Sequence, residues 1–167
     1  MIFMTDIKEL FNIFDKFTGE NVMAMAHEGQ PTYRYRLSWY RVFNPGTPVG
    51  GPPPDGRPGF NSGVVLIDLD KARTSRTYAR YLDGDVIKQL TEKYFFRGHL
   101  GDQDLFTLIG QEKPDLFYVL PCTWNRQLCI HWGNQTNKYG PDIFNSYHNC
   151  SGTINVYHGN GNVPINV

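Results

Sequence analysis

Six aspartates in this chain fall in three Asp-x-Asp triplets: Asp68-Leu69-Asp70, Asp83-Gly84-Asp85 and Asp102-Gln103-Asp104. Two carboxylates so spaced can hold a divalent cation against a diphosphate, because hard oxygen ligands suit Mg²⁺ or Mn²⁺ and the ion offsets phosphate charge. The first two triplets are explained equally by helix caps and turns. The third has richer surroundings. Gly98, His99, Gly101, Asp102, Gln103 and Asp104 combine glycine flexibility, an imidazole and three hydrogen-bonding side chains where a helix should begin. Exposed N–H groups and polar side chains there can hold the hydroxyls of a sugar, although helix capping by Asp102 alone is the plainer account. His158-Gly159-Asn160-Gly161-Asn162 places a histidine at the end of a predicted strand, where a ring nitrogen can ligate a metal while backbone N–H groups approach phosphate. The sequence has no Gly-x-x-x-x-Gly-Lys-[Ser/Thr], His-Glu-x-x-His or Gly-x-Ser-x-Gly, which removes the usual NTPase and hydrolase routes.

These residues need elements to carry them. Asp6 to Glu9 has the form of a capping box, and Ile7, Leu10, Phe11 and Phe14 follow at helical spacing, so a helix is predicted from Asp6 to Lys16. Val22 to His27 reads as a short strand. Tyr33 to Arg41, dense in aromatics and arginines, reads as strand or loop. Residues 44–60 hold six prolines and five glycines, so no regular element survives there and a long ordered loop or a lid is expected. Val64 to Ile67 is a continuous apolar run, as in a central strand buried on both faces of a parallel sheet. Asp70 then caps a helix to Leu82, Asp85 a second with Val86, Ile87, Leu90 and Tyr94, and Asp102 a third with Leu105, Leu108 and Ile109 inward. Phe117 to Leu120 and Ile154 to Tyr157 are further strands. Strands alternating with helices make the fold class α/β.

Sixteen basic and 16 acidic side chains give a formal charge of zero, which argues against a nucleic-acid partner. Forty per cent hydrophobic residues suffice for a packed core, at a length expected of one domain or part of one. No run is long and apolar enough to span a membrane. Asn134-Gln135-Thr136 and Asn149-Cys150-Ser151 are N-glycosylation acceptor patterns, and Cys122, Cys129 and Cys150 are the only cysteines. In an oxidising compartment, Cys122 with Cys129 or Cys129 with Cys150 is the expected pair; in a reducing one all three stay thiols.

Four segments occur in the order seen in glycosyltransferase family 8, which the chain resembles over nearly its whole length. They are Gly59-Phe60-Asn61-Ser62-Gly63-Val64-Val65-Leu66, Gly101-Asp102-Gln103-Asp104-Leu105, Leu120-Pro121-Cys122-Thr123-Trp124-Asn125 and His158-Gly159-Asn160. Asn125-Arg126-Gln127-Leu128-Cys129 favours the members that extend O-linked xylosyl-glucose. The resemblance implies a GT-A fold and a retaining α-1,3-xylosyltransferase in the endoplasmic reticulum membrane, its catalytic domain luminal. It implies UDP-xylose as donor, Mn²⁺ as cofactor and O-glycosylated EGF-like repeats, such as those of Notch-type receptors, as acceptor. Carried over by motif, His158 is the metal ligand. Asn61, Ser62, Gly63, Gly159 and Asn160 bind the donor, and His99, Leu100, Trp124 and Asn125 lie toward the sugar or acceptor. Gln103 and Asp102 act in catalysis, Gln103 steadying positive charge through its carbonyl oxygen and Asp102 orienting hydroxyls.

In that family a metal-binding Asp-x-Asp ends a strand a few residues before the helix that here begins near Asp6, and only Met1 to Thr5 precede it. Residues 1–167 are therefore expected to be the C-terminal part of a catalytic domain, without the uridine-binding half, and to turn over little alone. Asp68 and Asp70 occupy the family's ordinary strand-to-helix turn and are not expected to replace the missing pair. A truncated, non-catalytic chain that at most binds glycoprotein is the alternative.

Overall fold

A computed structural model describes residues 1–98, 100–134 and 140–166. It is a mixed α/β structure with two three-stranded sheets. The larger has β2 (Met23–His27) at its centre, antiparallel to β3 (Phe60–Ile67) and parallel to β4 (Phe117–Leu120). The smaller has β6 (Val156–His158) between β1 (Ile2–Phe3), antiparallel to it, and β5 (Arg126–Gln127), parallel to it.

The sequence of β2 explains its central place. Successive strand side chains point to opposite faces, and Met23 and Met25 join one apolar cluster with Phe60, Ile109 and Phe117, while Ala24 and Ala26 join another with Leu10, Val64, Leu66 and Trp124. The expectation of a central, parallel strand at Val64 to Ile67 is corrected: β3 is an edge strand, antiparallel to its neighbour, and Ile67 is 38% exposed. Its apolar run is still used on both sides, since Val64 and Leu66 enter one cluster and Val65 packs on the other.

The register between β2 and β3 shifts after Met25, from Met25 opposite Val65 to Ala26 opposite Asn61. Such a bulge takes residues out of the ladder and leaves their N–H groups in need of other partners. Ser62 N donates to Gln103 Oε1 at 3.2 Å and Gly63 N to Asn61 Oδ1 at 3.1 Å. The Asn61-Ser62-Gly63 motif is thus a bulge satisfied by side chains.

Several helices differ from expectation. The predicted first helix forms as α1 (Ile7–Phe11) continued by a 3-10 turn to Lys16, capped by Asp6. Tyr33 to Arg41 is neither strand nor loop but two short helices, α2 (Thr32–Arg36) and α3 (Ser38–Phe43), with Tyr33 and Leu37, one turn apart, both fully buried. Asp68, not Asp70, caps α4 (Leu69–Thr74), and Ser75 ends it and caps α5 (Arg76–Tyr81), so the single helix expected to Leu82 is two. Asp83, not Asp85, caps α6 (Gly84–Lys93). At α7 (Asp102–Glu112) the cap position belongs to Gly101, at φ 68°, and Asp102 is the first helical residue. Leu108 and Ile109 point inward as expected, and Gly110 lets α7 lie against the Phe60 ring, 2.4 Å from where a Cβ would sit.

The Pro/Gly-rich segment is a tied-down loop. Val49 is buried, Tyr147 Oη of α8 (Pro141–His148) donates to Gly50 O at 2.6 Å, and Gln111 Nε2 donates to Arg57 O at 2.9 Å. Cys122 and Cys150 form a disulfide, and Cys129 is free. That corrects both expected pairings: Cys122 follows β4 and Cys150 follows α8, with Cα atoms 5.8 Å apart, whereas Cys129 lies beside the Asn160–Gly161 turn.

Candidate functional site

The bulge of β3, the start of α7 and the end of β6 meet at one cavity of about 760 Å³. Asn61, Ser62, Gly63, Leu100, Gln103, His158 and Asn160 line it, so seven of the residues singled out from sequence come together, joined by Glu28 and Cys129. Asp102 stands exposed at the rim, its Oδ1 accepting from Ser62 Oγ at 3.3 Å and from Gln103 N at 2.8 Å. His99 lies outside the described residues. Gly159 sits behind the lining, in a turn where a Cβ would meet Val163 O at 2.3 Å. Trp124 corrects its reading as a sugar-facing residue: it is buried in the core with Leu10, Leu120 and Val156.

A buried polar network stands behind the cavity. Glu28, just past β2, is 3% exposed, and its Oε2 accepts from Asn61 Nδ2 at 3.0 Å and from Gln103 Nε2 at 3.1 Å. The same Gln103 amide donates to Tyr33 Oη at 3.2 Å, and Tyr33 donates to Asp104 Oδ1 at 2.9 Å. Asp104 Oδ2 accepts from Leu100 N at 2.7 Å. Asn125, also fully buried, donates from Nδ2 to Asn61 Oδ1 at 2.9 Å, and its Oδ1 lies 2.9 Å from His158 Nδ1. Asn160 Oδ1 accepts from the N–H groups of Leu128 and Cys129, both at 3.0 Å, and so ties the turn after β6 to the chain after β5.

The electrostatics follow from burial. Desolvation disfavours a charged carboxyl, and it raises Glu28 to about 7 against the hydrogen bonds from Asn61 and Gln103 and the nearby N–H groups of Gln30 and Gly29. Glu28 Oε1 is buried and accepts no hydrogen bond. Burial also lowers the His158 imidazole below its ordinary value, which favours the neutral ring. Glu28 escaped the sequence reading, although an acidic residue directly after a buried strand was an available signal, and Tyr33, read only as part of an aromatic and basic run, is instead a buried member of this network.

Among the described residues, no three His, Cys, Asp or Glu side chains gather as metal ligands. His158 fits a metal site as a single ligand, because Nδ1 is taken by Asn125 and no hydrogen bond from the described residues engages Nε2. The other triplets do not supplement it: Asp68 caps α4, Asp70 pairs with Arg73 on the surface, and Asp83 caps α6.

No family model matches the chain. Human xyloside xylosyltransferase 1 is 52% identical over 163 residues, taking in 98% of this chain and 41% of the human protein. The mouse protein is 51% identical over the same shares. The chain is a homologue of these xyloside xylosyltransferases. The fold agrees, since the crystal structure of the mouse enzyme in its apo form matches with a TM-score of 0.93 at 50% identity, covering 98% of this chain and 56% of that one. Mouse glucoside xylosyltransferase 1 is a more distant relative, 29% identical over 165 residues, 95% of this chain and 38% of that protein. All these relatives are named xylosyltransferases, and the chain spans about two fifths of their length.

Proposed function

We propose that this chain supplies the sugar-binding side of a retaining α-1,3-xylosyltransferase that moves xylose from UDP-xylose to the xylosyl-glucose glycan of EGF-like repeats. The observation that carries the reading is the convergence of Asn61, Gln103 and His158 on one cavity in a homologue of xyloside xylosyltransferase 1. Asn61 and Ser62 face the donor, and Asp102 at the rim orients sugar hydroxyls. Gln103 holds its carbonyl oxygen toward Ser62 N, with its amide fixed by Glu28 and Tyr33. That oxygen steadies the positive charge that grows on the anomeric carbon.

The carboxylates near the cavity are committed elsewhere. Asp104 binds Tyr33 and Leu100 N, and Glu28 Oε2 binds two amides. Asp102, at the rim, has its Oδ1 turned to Ser62 Oγ and Gln103 N, and Glu28 is buried behind the cavity, so the reading favours same-face substitution over a covalent intermediate. In that step the acceptor oxygen bonds to the anomeric carbon as the bond to the diphosphate breaks, and the hydroxyl proton passes to the departing diphosphate oxygen. His158 is the residue of this chain that would hold Mn²⁺, a cation that offsets the charge of a leaving diphosphate. The Cys122–Cys150 disulfide supports a luminal site of action, since such bonds persist in oxidising compartments.

The test joins residues 1–167 to the upstream part of mouse xyloside xylosyltransferase 1 and measures Mn²⁺-dependent transfer from UDP-xylose to a xylosyl-glucosyl EGF-like repeat. Transfer that is lost on His158→Ala and on Gln103→Ala is expected, with little or none from residues 1–167 alone. A folded chimera that fails to transfer xylose refutes the reading. Robust turnover by residues 1–167 unaided shows the metal site to be misplaced.

A further inference from the structure

We propose that Asn125 is a positioning residue: anchored on Asn61, it forces Nδ1 of His158 to carry the ring hydrogen and so leaves the lone pair on Nε2 for a divalent cation. The inference rests on the proposed role of His158 as a metal ligand, and concerns what this chain does to that ring before any ion arrives.

Hydrogen-bond direction decides the tautomer. Carboxylate and carbonyl oxygens only accept, N–H groups only donate, and a side-chain amide offers one of each, so a fixed neighbour decides which way the amide faces. Two fixed neighbours act on Asn61. Glu28 Oε2 lies 3.0 Å from one end of its amide, and Gly63 N donates to the other end at 3.1 Å. The Gly63 N–H can only donate, so it requires Oδ1 toward Gly63 and leaves Nδ2 to Glu28. Asn125 then meets two acceptors at once, Asn61 Oδ1 at 2.9 Å and the main-chain oxygen of Asn61 at 3.4 Å. It must present Nδ2 to them and turn Oδ1 to His158, 2.9 Å from Nδ1. An amide oxygen cannot donate, so the ring nitrogen must.

The three side chains of the relay are buried, Glu28 at 3% exposed, Asn61 at 5% and Asn125 at 1%, while Gly63 and the ring are half-buried. Reversing any amide would face an acceptor with an acceptor away from water, leaving a buried polar group without its bond. Gly63 contributes by its missing side chain as well, since a Cβ there would lie 2.2 Å from His158 Cε1 and 2.4 Å from Nδ1. The ring is therefore wedged against the bulge with Nδ1 inward. Metal-binding histidines as a class donate their second ring N–H to an oxygen, which fixes the tautomer and the ring plane. Here a buried asparagine fills that place.

The experiment is two-bond ¹H–¹⁵N correlation spectroscopy of metal-free protein at about pH 7.5, where a histidine of lowered pKa is neutral. The two ring nitrogens give distinct shifts according to which bears the hydrogen. Wild-type His158 is expected with Nδ1 protonated and Nε2 not; the opposite assignment overturns the proposal without any variant. Asn125→Asp still offers an accepting oxygen and should keep the hydrogen on Nδ1. Asn125→Leu offers none and should shift it to Nε2, the form imidazole prefers in water. If both variants behave alike while retaining native backbone spectra, Asn125 is only packing and the proposal fails. Should either variant not fold, the wild-type assignment still decides. An Nδ1-protonated ring in a chimera that transfers no xylose would refute the function and leave this inference standing, and the reverse pair of results would do the opposite.

Discussion

Replacing Glu28 by glutamine should expose a pH dependence of stability that the adjacent His27 conceals. Burial raises the Glu28 carboxyl from 4.5 to about 7 and lowers the His27 imidazole from 6.5 to about 4. A carboxyl with a raised folded pKa holds its proton more tightly in the folded chain. Its contribution is fully present below the unfolded value of 4.5 and is lost as pH rises through 7. An imidazole with a lowered folded pKa behaves oppositely: its contribution is complete above 6.5 and is lost as pH falls through 4. Each of these displacements corresponds to about 3 kcal/mol. Between pH 4.5 and 6.5 the unfolded chain carries about one more proton on His27 and the folded chain about one more on Glu28, so slopes of about 1.4 kcal/mol per pH unit cancel. Glu28→Gln removes one of them. Every other group is common to both proteins, so the stability of the variant minus that of wild type should rise by about 3 kcal/mol from pH 4.5 to above 7. Urea unfolding followed by tryptophan fluorescence at half-unit steps measures it. A difference constant to within about 0.5 kcal/mol would mean that Glu28 ionises normally in the folded chain, and the account of its burial would be wrong.

Gly63→Ala should drive the His158 ring from its seat, because the new Cβ would lie 2.2 Å from Cε1. The expected cost is about 1–3 kcal/mol of stability, together with loss of transfer in the chimera comparable to His158→Ala; Gly84→Ala, where nothing lies within 4 Å, is the matched control. Thiol titration of the denatured, unreduced chain should find Cys129 alone, and three thiols after reduction. Removing the bridge by Cys122→Ala with Cys150→Ala should lower stability by roughly 3 kcal/mol, from a closed loop of 28 residues' separation.

What could be read from the sequence was whatever depends on near neighbours. The strands at Met23–His27 and Phe117–Leu120 and the α7 core positions were legible because each short segment carries its own burial pattern. The place of each strand in the sheet was not. Four apolar residues at Val64 to Ile67 announce burial, but whether they sit at the centre or the edge depends on which strand pairs with β2, a choice made by residues far away in sequence. Ser75 broke a predicted helix because its hydroxyl accepts from Tyr78 N, a local bond that competes with helix continuation. At the site, the bulge motif was legible as a motif, yet its physical role was not. Asn61 and Glu28 are 33 positions apart and Gln103 and Glu28 are 75 apart, and only the folded chain brings them within hydrogen-bonding distance. The cysteines make the same point: nearness in sequence favoured a pairing through Cys129, whereas the ends of β4 and α8 bring Cys122 to Cys150.

The choice of side chains behind the cavity has a physical logic. Asn61, Gln103 and Asn125 are neutral, and Glu28, the carboxyl on which two of them converge, is itself pushed toward neutrality by burial. Ionised groups in such a place would carry a desolvation penalty of several kcal/mol each. They would also set a strong field before any ligand arrived. Amides avoid that penalty while still presenting oriented dipoles, and dipoles locked by their neighbours need no reorganisation when charge develops beside them. Locking requires a terminus that cannot turn round, and Glu28 Oε2 and the N–H groups of Ser62 and Gly63 are such termini. The irregularity in β3 therefore contributes to the cavity's directionality: at the bulge the N–H groups of Ser62 and Gly63 turn to side-chain oxygens and join Glu28 and Tyr33 in fixing which way the amides of Gln103 and Asn61 face.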